Sequence, residues 1–194
     1  MTEQSLAADF FDTLYQADPD PWRFETSDYE AAKYAATLAA LPKPRYRSAF
    51  EIGGSIGVLT EQLAPRCDGL LSVDLSALAQ ERAIQRCQHL SQVRFQLMNV
   101  PQDYPDESFD LVLLSEVGYY WCQADLCRAQ QLIYESLEPS GQLLLVHWLH
   151  EAPSYPLRGD DVHNAFQAFA AIAPLNHLYS HRTADYRLDL YERP

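Results

Sequence analysis

The chain has 194 residues, of which 47% are hydrophobic, and it carries a net charge of −13 at pH 7. This length and composition predict one globular domain, residues 1–194, and exclude a disordered chain. No apolar run reaches the ~20 residues of a membrane span, and the N-terminus lacks the basic start of a signal peptide. We therefore predict a cytoplasmic protein with no membrane partner. Because 27 acidic residues outnumber 14 basic ones, the chain lacks the basic surface that nucleic-acid partners need.

Two helices are predicted before the first strand. Residues 5–16 carry apolar side chains at helical spacing and end at a stretch rich in Asp and Pro. Ser27 and Glu30 form a capping-box pair that predicts a second helix over residues 28–41. The chain therefore begins with a helical segment, residues 1–45.

From residue 46 to residue 194, strand-like and helix-like runs alternate, which is typical of a parallel sheet covered on both faces. The predicted strands cover residues 48–52, 70–74, 93–98, 111–115, 142–148, 175–181 and 186–191, and the predicted helices cover residues 58–66, 77–89, 125–137 and 162–171. A short turn between the last two strands permits an antiparallel hairpin. We expect an α/β, Rossmann-like fold: a seven-stranded, mostly parallel sheet with helices on both faces and a C-terminal antiparallel hairpin.

A glycine-rich loop joins the first predicted strand to the next helix. Its sequence, Glu51-Ile52-Gly53-Gly54-Ser55-Ile56-Gly57, lets the backbone approach a ligand closely. Asp74 follows Gly53 by about 20 residues, at the end of the next strand, where an acidic side chain meets ribose hydroxyls in doubly wound folds. A dinucleotide motif would need glycine in place of Ser55 and Val58. The spacing therefore indicates another nucleoside-bearing cofactor.

The pattern Glu51-x-Gly53-x-Ser55-x-Gly57 resembles motif I of class I S-adenosylmethionine (SAM) methyltransferases. The resemblance implies a class I methyltransferase fold, SAM as cofactor, S-adenosylhomocysteine (SAH) as product, and N-terminal helices that form a lid across the cofactor cleft. It places Glu51 at the methionine amino group, commonly through water, and Asp74 at the ribose. The cofactor-binding residues that we predict on this basis are Glu51, Gly53, Ser55, Gly57, Asp74, Asn99, Val100 and Ser115.

Two of these positions, Asn99 and Ser115, need a comment. Asn99 stands where class I enzymes usually have Asp, whose carboxylate accepts from the adenine amine, and the Asn carbonyl keeps an acceptor there. A polar cap at a strand end is an equal alternative for Asn99. Ser115 begins the stretch whose backbone passes under the transferred methyl group in that class.

A carboxylate and aromatic side chains follow the fourth predicted strand. Glu116 is a candidate ligand for a substrate amine or hydroxyl. Tyr119, Tyr120 and Trp121 are adjacent aromatics that could stack on a sugar face or surround a cation. The alternative is that two of them fill the core beneath the following helix. We predict Tyr119 and Tyr120 as acceptor-binding residues.

The general base has three candidates. His147 ends the fifth predicted strand and could accept a proton at neutral pH, although an isolated histidine more often caps structure. Glu116 and Asp160 follow it in rank as catalytic candidates. Trp148 and His163 are predicted to contact the acceptor in the same pocket.

Metal and thiol chemistry are not predicted. No set of His, Asp and Glu has the spacing of metal ligands, so we predict no metal site. The four cysteines are scattered without a C-x-x-C pair, which favours reduced thiols over disulfides.

Several motifs together resemble the nodulation protein S (NodS) family of methyltransferases over about residues 10–148. They are Pro21-Trp22-Arg23, Phe50-Glu51-Ile52-Gly53, Leu59-Thr60-Glu61-x-Leu63-Ala64-Pro65-x-Cys67, Asp74 and Ser115-Glu116-Val117-Gly118-Tyr119-Tyr120. That family transfers methyl from SAM to the free amine of a de-N-acetylated chitooligosaccharide. The resemblance implies that Trp22 and Arg23 contact the cofactor, with Arg23 able to pair with its carboxylate.

The same resemblance implies a small-molecule acceptor, most simply an amino sugar or another sugar-like amine that is methylated on nitrogen. Beyond Trp148 the chain differs from the nodulation enzymes, in the region expected to contact the acceptor. Two alternatives stay open: O-methylation of a glycan or other small metabolite, and a non-catalytic protein that binds SAM or a nucleoside.

Overall fold

The structure, a computed structural model, describes residues 4–194. Its elements are α1 (Ala8–Ala17), α2 (Asp28–Ala39), β1 (Ala49–Ile52), α3 (Val58–Leu63), β2 (Leu70–Asp74), α4 (Ala77–Arg86), β3 (Val93–Leu97), β4 (Phe109–Ser115), α5 (Gln123–Ser136), β5 (Leu137–Trp148), α6 (Gly159–Ala170), β6 (Asn176–Arg182) and β7 (Tyr186–Glu192). Across these residues the strands form one seven-stranded sheet in the order β3-β2-β1-β4-β5-β7-β6. The predicted fold class, with its C-terminal antiparallel pair, is confirmed.

Two compact units make up the described chain: residues 7–98, and residues 4–6 together with 99–194. We call them the first unit and the second unit. The prediction about the N-terminus falls mainly on residues 1–3, which lie outside the described residues. Among residues 4–194, no helix combines the length and apolar character that crossing a membrane requires.

The first unit consists of parallel strands with helices packed on them. β2 pairs in parallel with β1 and with β3, and every residue of β1 is buried. Helix α2 begins where the capping pattern predicts, because the Ser27 hydroxyl accepts the backbone N–H of Glu30. The reciprocal half of the box does not form, since Glu30 pairs with Lys33 and the N–H of Ser27 donates to the carbonyl of Arg23.

Helix α1 begins at Ala8, three residues later than predicted. The preceding residues bond within the second unit instead, where the Leu6 N–H donates to the Tyr120 carbonyl at 2.9 Å and the Ser5 hydroxyl accepts the Cys122 N–H at 2.8 Å. These bonds withdraw the two residues from the helix.

In the second unit, β5 pairs in parallel with β4 and antiparallel with β7, and β7 pairs antiparallel with β6. β5 begins five residues earlier than predicted. Leu137 lies opposite Phe109 and Gln142 lies opposite Leu111, so residues 138–141 form an irregularity that the alternation of apolar residues does not reveal. Helix α6 also begins early, at Gly159, because the Asp161 carboxylate accepts the Arg158 N–H at 2.9 Å.

Candidate functional site

The β1 loop, residues 53–57, is bound to the end of β2 by the carboxylate of Asp74. Its Oδ2 atom accepts the Ser55 N–H at 2.8 Å and its Oδ1 atom accepts the Ser76 N–H at 2.8 Å. Ser55 has a φ of 49°, in the left-handed region, where a non-glycine residue needs such support. Burial raises the pKa of Asp74, and the hydrogen bonds from backbone N–H groups oppose that rise.

Two glycines allow the β1 loop to lie against the rest of the first unit. Gly57 has a φ of 83°, which permits the turn into α3. At Gly54 a Cβ atom would lie 2.1 Å from the hydroxyl oxygen of Ser72 on β2. The predicted site residue Gly53 donates its N–H to the Val73 carbonyl at 2.8 Å. The loop backbone thus lies directly on β2.

Glu51 lies beneath this loop, with 1% of its surface exposed. Its Oε2 atom accepts the hydroxyl hydrogens of Thr60 at 2.5 Å and Ser72 at 2.8 Å. Burial raises the pKa of Glu51, and the two hydroxyls oppose that effect. The structure therefore shows Glu51 supporting the loop from inside the unit. Its contact with a methionine amino group stays a prediction.

An aromatic group packs on the other side of the loop. Trp22 stacks on Phe24 at 5.6 Å and meets the edge of Tyr15 at 5.7 Å. The Tyr15 hydroxyl lies 2.5 Å from the Ser55 hydroxyl. Sequence reasoning missed Tyr15, although its place four residues after Phe11 on the apolar face of α1 is a signal. Arg23 is exposed and has a φ of 58°.

In the second unit, Glu116 follows β4 in the left-handed region, with a φ of 58°. Its backbone N–H donates to the Val146 carbonyl at 2.9 Å. Its Oε2 atom accepts the Trp148 N–H at 3.0 Å and the Tyr119 hydroxyl at 2.5 Å. Strained backbone that several bonds hold in place is a feature of functional sites.

Three tyrosines, which we call the tyrosine cluster, pack beside Glu116. Tyr155 stacks on Tyr119 at 5.3 Å and meets Tyr120 edge-on at 4.7 Å. Tyr119 and Tyr120 are buried, and Tyr155 is partly exposed. Burial raises the pKa of both buried tyrosines, so their hydroxyls stay protonated and the Tyr119 hydroxyl donates to Glu116. Tyr155 was missed because it lies in an irregular loop without periodic pattern.

His147, His163 and Asp189 form a buried chain of hydrogen bonds, which we call the histidine relay. All three side chains are fully buried. His147 Nε2 accepts the Gly118 N–H at 3.1 Å, and its Nδ1 atom lies 3.2 Å from Nε2 of His163. His163 Nδ1 lies 2.6 Å from the Asp189 carboxylate. Sequence reasoning placed His163 against the acceptor and did not single out Asp189.

The other predicted residues of this unit are not members of the tyrosine cluster or of the histidine relay. Asp160 pairs with Arg182 and Arg187, and the bond from Arg182 lowers the pKa of Asp160. Asn99 is exposed; Val100 and Ser115 are buried.

Within residues 4–194 there is no group of three or more His, Cys, Asp or Glu side chains arranged for a metal, and in the same range the cysteines form no disulfide.

The sheet order, the β1 loop tied to Asp74 and the antiparallel C-terminal strands define a protein with the class I methyltransferase fold. The NodS N-methyltransferase from Bradyrhizobium japonicum WM9, solved in complex with SAH, is 25% identical and superposes with a TM-score of 0.82 over 94% of this chain and 97% of that one. A protein from Pseudomonas syringae that is described provisionally as a methyltransferase is 40% identical, with a TM-score of 0.74 over 85% of this chain and 99% of that one.

The sequence comparison narrows this class to a family. The profile of the family "Nodulation protein S (NodS)" matches residues 8–147. Nodulation protein S from Rhizobium tropici is 31% identical over 130 residues, which is 66% of this chain and 55% of that protein. The chain belongs to the Nodulation protein S family. It spans about half the length of the curated relatives that it matches.

The close approach of the Gly54 backbone to Ser72 predicts that a larger residue at position 54 destabilises the protein. Gly54→Ala places a methyl group 2.1 Å from the Ser72 hydroxyl oxygen, so we expect the free energy of unfolding to fall by about 1–3 kcal/mol. Urea denaturation monitored by circular dichroism measures it. The matched control is Gly69→Ala, whose Cβ would lie 3.6 Å from the Arg47 carbonyl in ordinary contact. Equal stability losses in the two variants would contradict the packing that we describe.

Proposed function

We propose that the chain is a SAM-dependent methyltransferase that methylates the nitrogen of a small acceptor, most simply an amino sugar. The observation that carries the proposal is the 2.8 Å bond between the Asp74 carboxylate and the Ser55 N–H, which shapes a glycine-rich loop of the class I kind. Membership in the NodS family and the likeness to an N-methyltransferase that binds SAH support the same activity.

The residues present suit a sulfonium nucleoside. A carboxylate has about four acceptor positions, and the backbone N–H groups of Ser55, Leu75 and Ser76 use three of them at Asp74. Acceptor capacity therefore remains for a ribose hydroxyl. The absence of a side chain at Gly53, where a Cβ atom would meet open space, keeps the loop surface open to a flat or extended ligand.

The remaining cofactor contacts in the proposal come from the predicted residues. Trp22 and Arg23 would contact the methionine part, with the exposed Arg23 guanidinium available to a carboxylate, and Asn99 and Val100 would contact the adenine. When bound, SAM supplies an electrophilic methyl group. The protein's contribution is to hold the acceptor nitrogen in line with it, which is worth up to roughly 7–11 kcal/mol when the alignment is good.

Glu116 is the group that we propose for the acceptor amine. Its carboxylate is oriented by the Trp148 N–H and the Tyr119 hydroxyl, and its negative charge favours an ammonium group or receives the proton that an amine loses. The partly exposed ring of Tyr155 offers a face on which a sugar can stack. His147 is not proposed for this role, because both of its ring nitrogens are engaged in the relay. Asp160 ranks below Glu116, because it pairs with two arginines.

Asp74→Asn tests the cofactor site. The amide would present an NH₂ group to the N–H of Ser55 or Ser76, so we expect the affinity for SAH to fall roughly 10- to 100-fold, as for the loss of a bond to a charged group. Isothermal titration calorimetry measures it. The matched control is Asp68→Asn, which changes an exposed ion pair with Arg45 in the same unit. If both variants bind SAH as the unchanged protein does, Asp74 has no part in cofactor binding.

Glu116→Gln tests the acceptor site. Loss of the negative charge should lower kcat/KM for an amine roughly 10- to 100-fold and leave the affinity for SAH unchanged. Steady-state kinetics and calorimetry give the two quantities. Glu135→Gln on the exposed face of α5 removes the same charge from the same unit and should change neither. Unaltered kinetics in Glu116→Gln would remove this residue from the proposal.

A panel of acceptors tests the substrate class. We expect mass spectrometry to find one added methyl group on a de-N-acetylated chitooligosaccharide and on glucosamine, and none on the N-acetylated oligomer or on an amine-free maltooligosaccharide. The first pair carries a free amine and the second pair does not. Methylation of the amine-free glycan would show O-methylation instead. Binding of SAH without methylation of any acceptor would count against the amino-sugar assignment, and failure to bind SAH or SAM would count against the enzyme itself.

A further inference from the structure

We propose that His163 and Asp189 are positioning residues: they hold His147 in the tautomer whose Nε2 atom accepts the Gly118 N–H, and through Gly118 they fix the loop that carries Glu116. The inference rests on the proposed function for its kinetic consequences. Its structural content, a defined tautomer at His147, can be measured without turnover.

The tautomers follow from one end of the relay. A backbone N–H is always a donor, so the bond from Gly118 requires a lone pair on Nε2 of His147. A neutral His147 then carries its proton on Nδ1 and donates it to Nε2 of His163. That bond in turn requires the proton of His163 on Nδ1, which donates to Asp189. Each bond determines the next.

Asp189 keeps the other end of the relay an acceptor. Arg187 Nε lies 2.7 Å from its Oδ2 atom, and His177 Nε2 lies 2.8 Å from its Oδ1 atom. Burial alone would raise the pKa of Asp189, but the bonds from His163 and Ser180 and the charge of Arg187 hold it at about 2. Asp189 is therefore a carboxylate at neutral and mildly acidic pH, and it accepts the hydrogen bond from His163.

The surroundings keep His163 neutral. Burial lowers the pKa of His163, while Asp189 and, less strongly, Asp160 oppose that change and Arg187 adds to it. Further ionisable groups near the relay are Arg182 and His177 on β6, Tyr191 on β7, Glu116 and Tyr119 after β4, and His147 itself on β5. Since the pKa of His163 lies below its usual value of about 6.5, the neutral relay persists below that pH.

The relay reaches Glu116 through two adjacent residues of β5. The His147 side chain holds the Gly118 N–H, and the N–H of the next residue, Trp148, holds the Glu116 carboxylate. The other tautomer of His147 would place an N–H at 3.1 Å from the N–H of Gly118 and push residues 116–118 away. It also follows that His147 has no lone pair left for a substrate proton, which makes it a positioning residue and not a base.

Nitrogen-15 NMR of histidine side chains in the unchanged protein tests the tautomers directly. We expect the signals of His147 and His163 to show protonation on Nδ1 and a bare Nε2, and a scalar coupling between Gly118 N–H and Nε2 of His147. A proton on Nε2 of His147, or a rapidly exchanging mixture, would overturn the proposal whatever the enzyme turns over.

Two substitutions at His163 test the consequence for catalysis. His163→Leu leaves Nδ1 of His147 without its acceptor, so we expect kcat to fall at least tenfold, as for a small misplacement of a catalytic group, with unchanged affinity for SAH. His163→Gln keeps one acceptor and one donor and should restore most of that loss. His181→Leu, which removes a histidine of β6 outside the relay, should leave kcat unchanged. Equal activity per folded molecule in both His163 variants would contradict positioning.

The pH profile separates positioning from packing. Protonation of His163 removes the acceptor for His147. Because burial lowers the pKa of His163, the kcat of the unchanged protein should fall only at a pH below the usual histidine value, and the ratio of kcat in His163→Gln to kcat in the unchanged protein should rise there. A ratio that stays constant down to the lowest pH at which both proteins remain folded would contradict the relay. If no acceptor is methylated at all, the proposed function fails, and the NMR measurement still decides the relay.

Discussion

The bond between the Asp74 carboxylate and the Ser55 N–H joins residues 19 positions apart and determines the form of the first unit around it. It holds Ser55 in a left-handed conformation, and the Ser55 hydroxyl in turn meets Tyr15 on α1. The second oxygen of the same carboxylate binds the N–H of Ser76, whose hydroxyl caps α4 and donates to Asp12 on α1. One carboxylate thus organises the loop, the start of α4 and the position of α1.

The second unit uses the same principle at Glu116. A left-handed conformation at a residue other than glycine costs about 1–3 kcal/mol and persists only when its surroundings hold it. Here the Val146 carbonyl, the Trp148 N–H and the Tyr119 hydroxyl all bind Glu116. A carboxylate held so firmly loses little conformational entropy when it binds a ligand, which is the condition for a site that orients an acceptor.

Sequence reasoning predicts those features of the site that local pattern encodes. The alternation of strands and helices defines the fold, and the spacing of Gly53, Ser55 and Gly57 before Asp74 marks the β1 loop. Sequence reasoning placed His147 and His163 at one pocket but did not predict the relay. His163 lies 16 residues from His147 and 26 from Asp189, and it is the pairing of β5 with β7 and the packing of α6 on both strands that bring the three together. Tyr155 was missed for a related reason, since irregular loops have no period to read.

The family match covers only part of the chain, so it supports methyl transfer and the identity of the acceptor to different degrees. The NodS profile covers residues 8–147, which include Asp74, Glu116 and His147. It ends before Tyr155, which stacks on Tyr119, and before His163 and Asp189 of the relay. The matched part therefore contains Asp74, Glu116 and two of the three groups that bind Glu116, whereas Trp148, Tyr155 and two residues of the relay lie beyond the match. Membership in the family thus supports transfer of methyl to an amine more strongly than it supports a chitooligosaccharide as the particular amine.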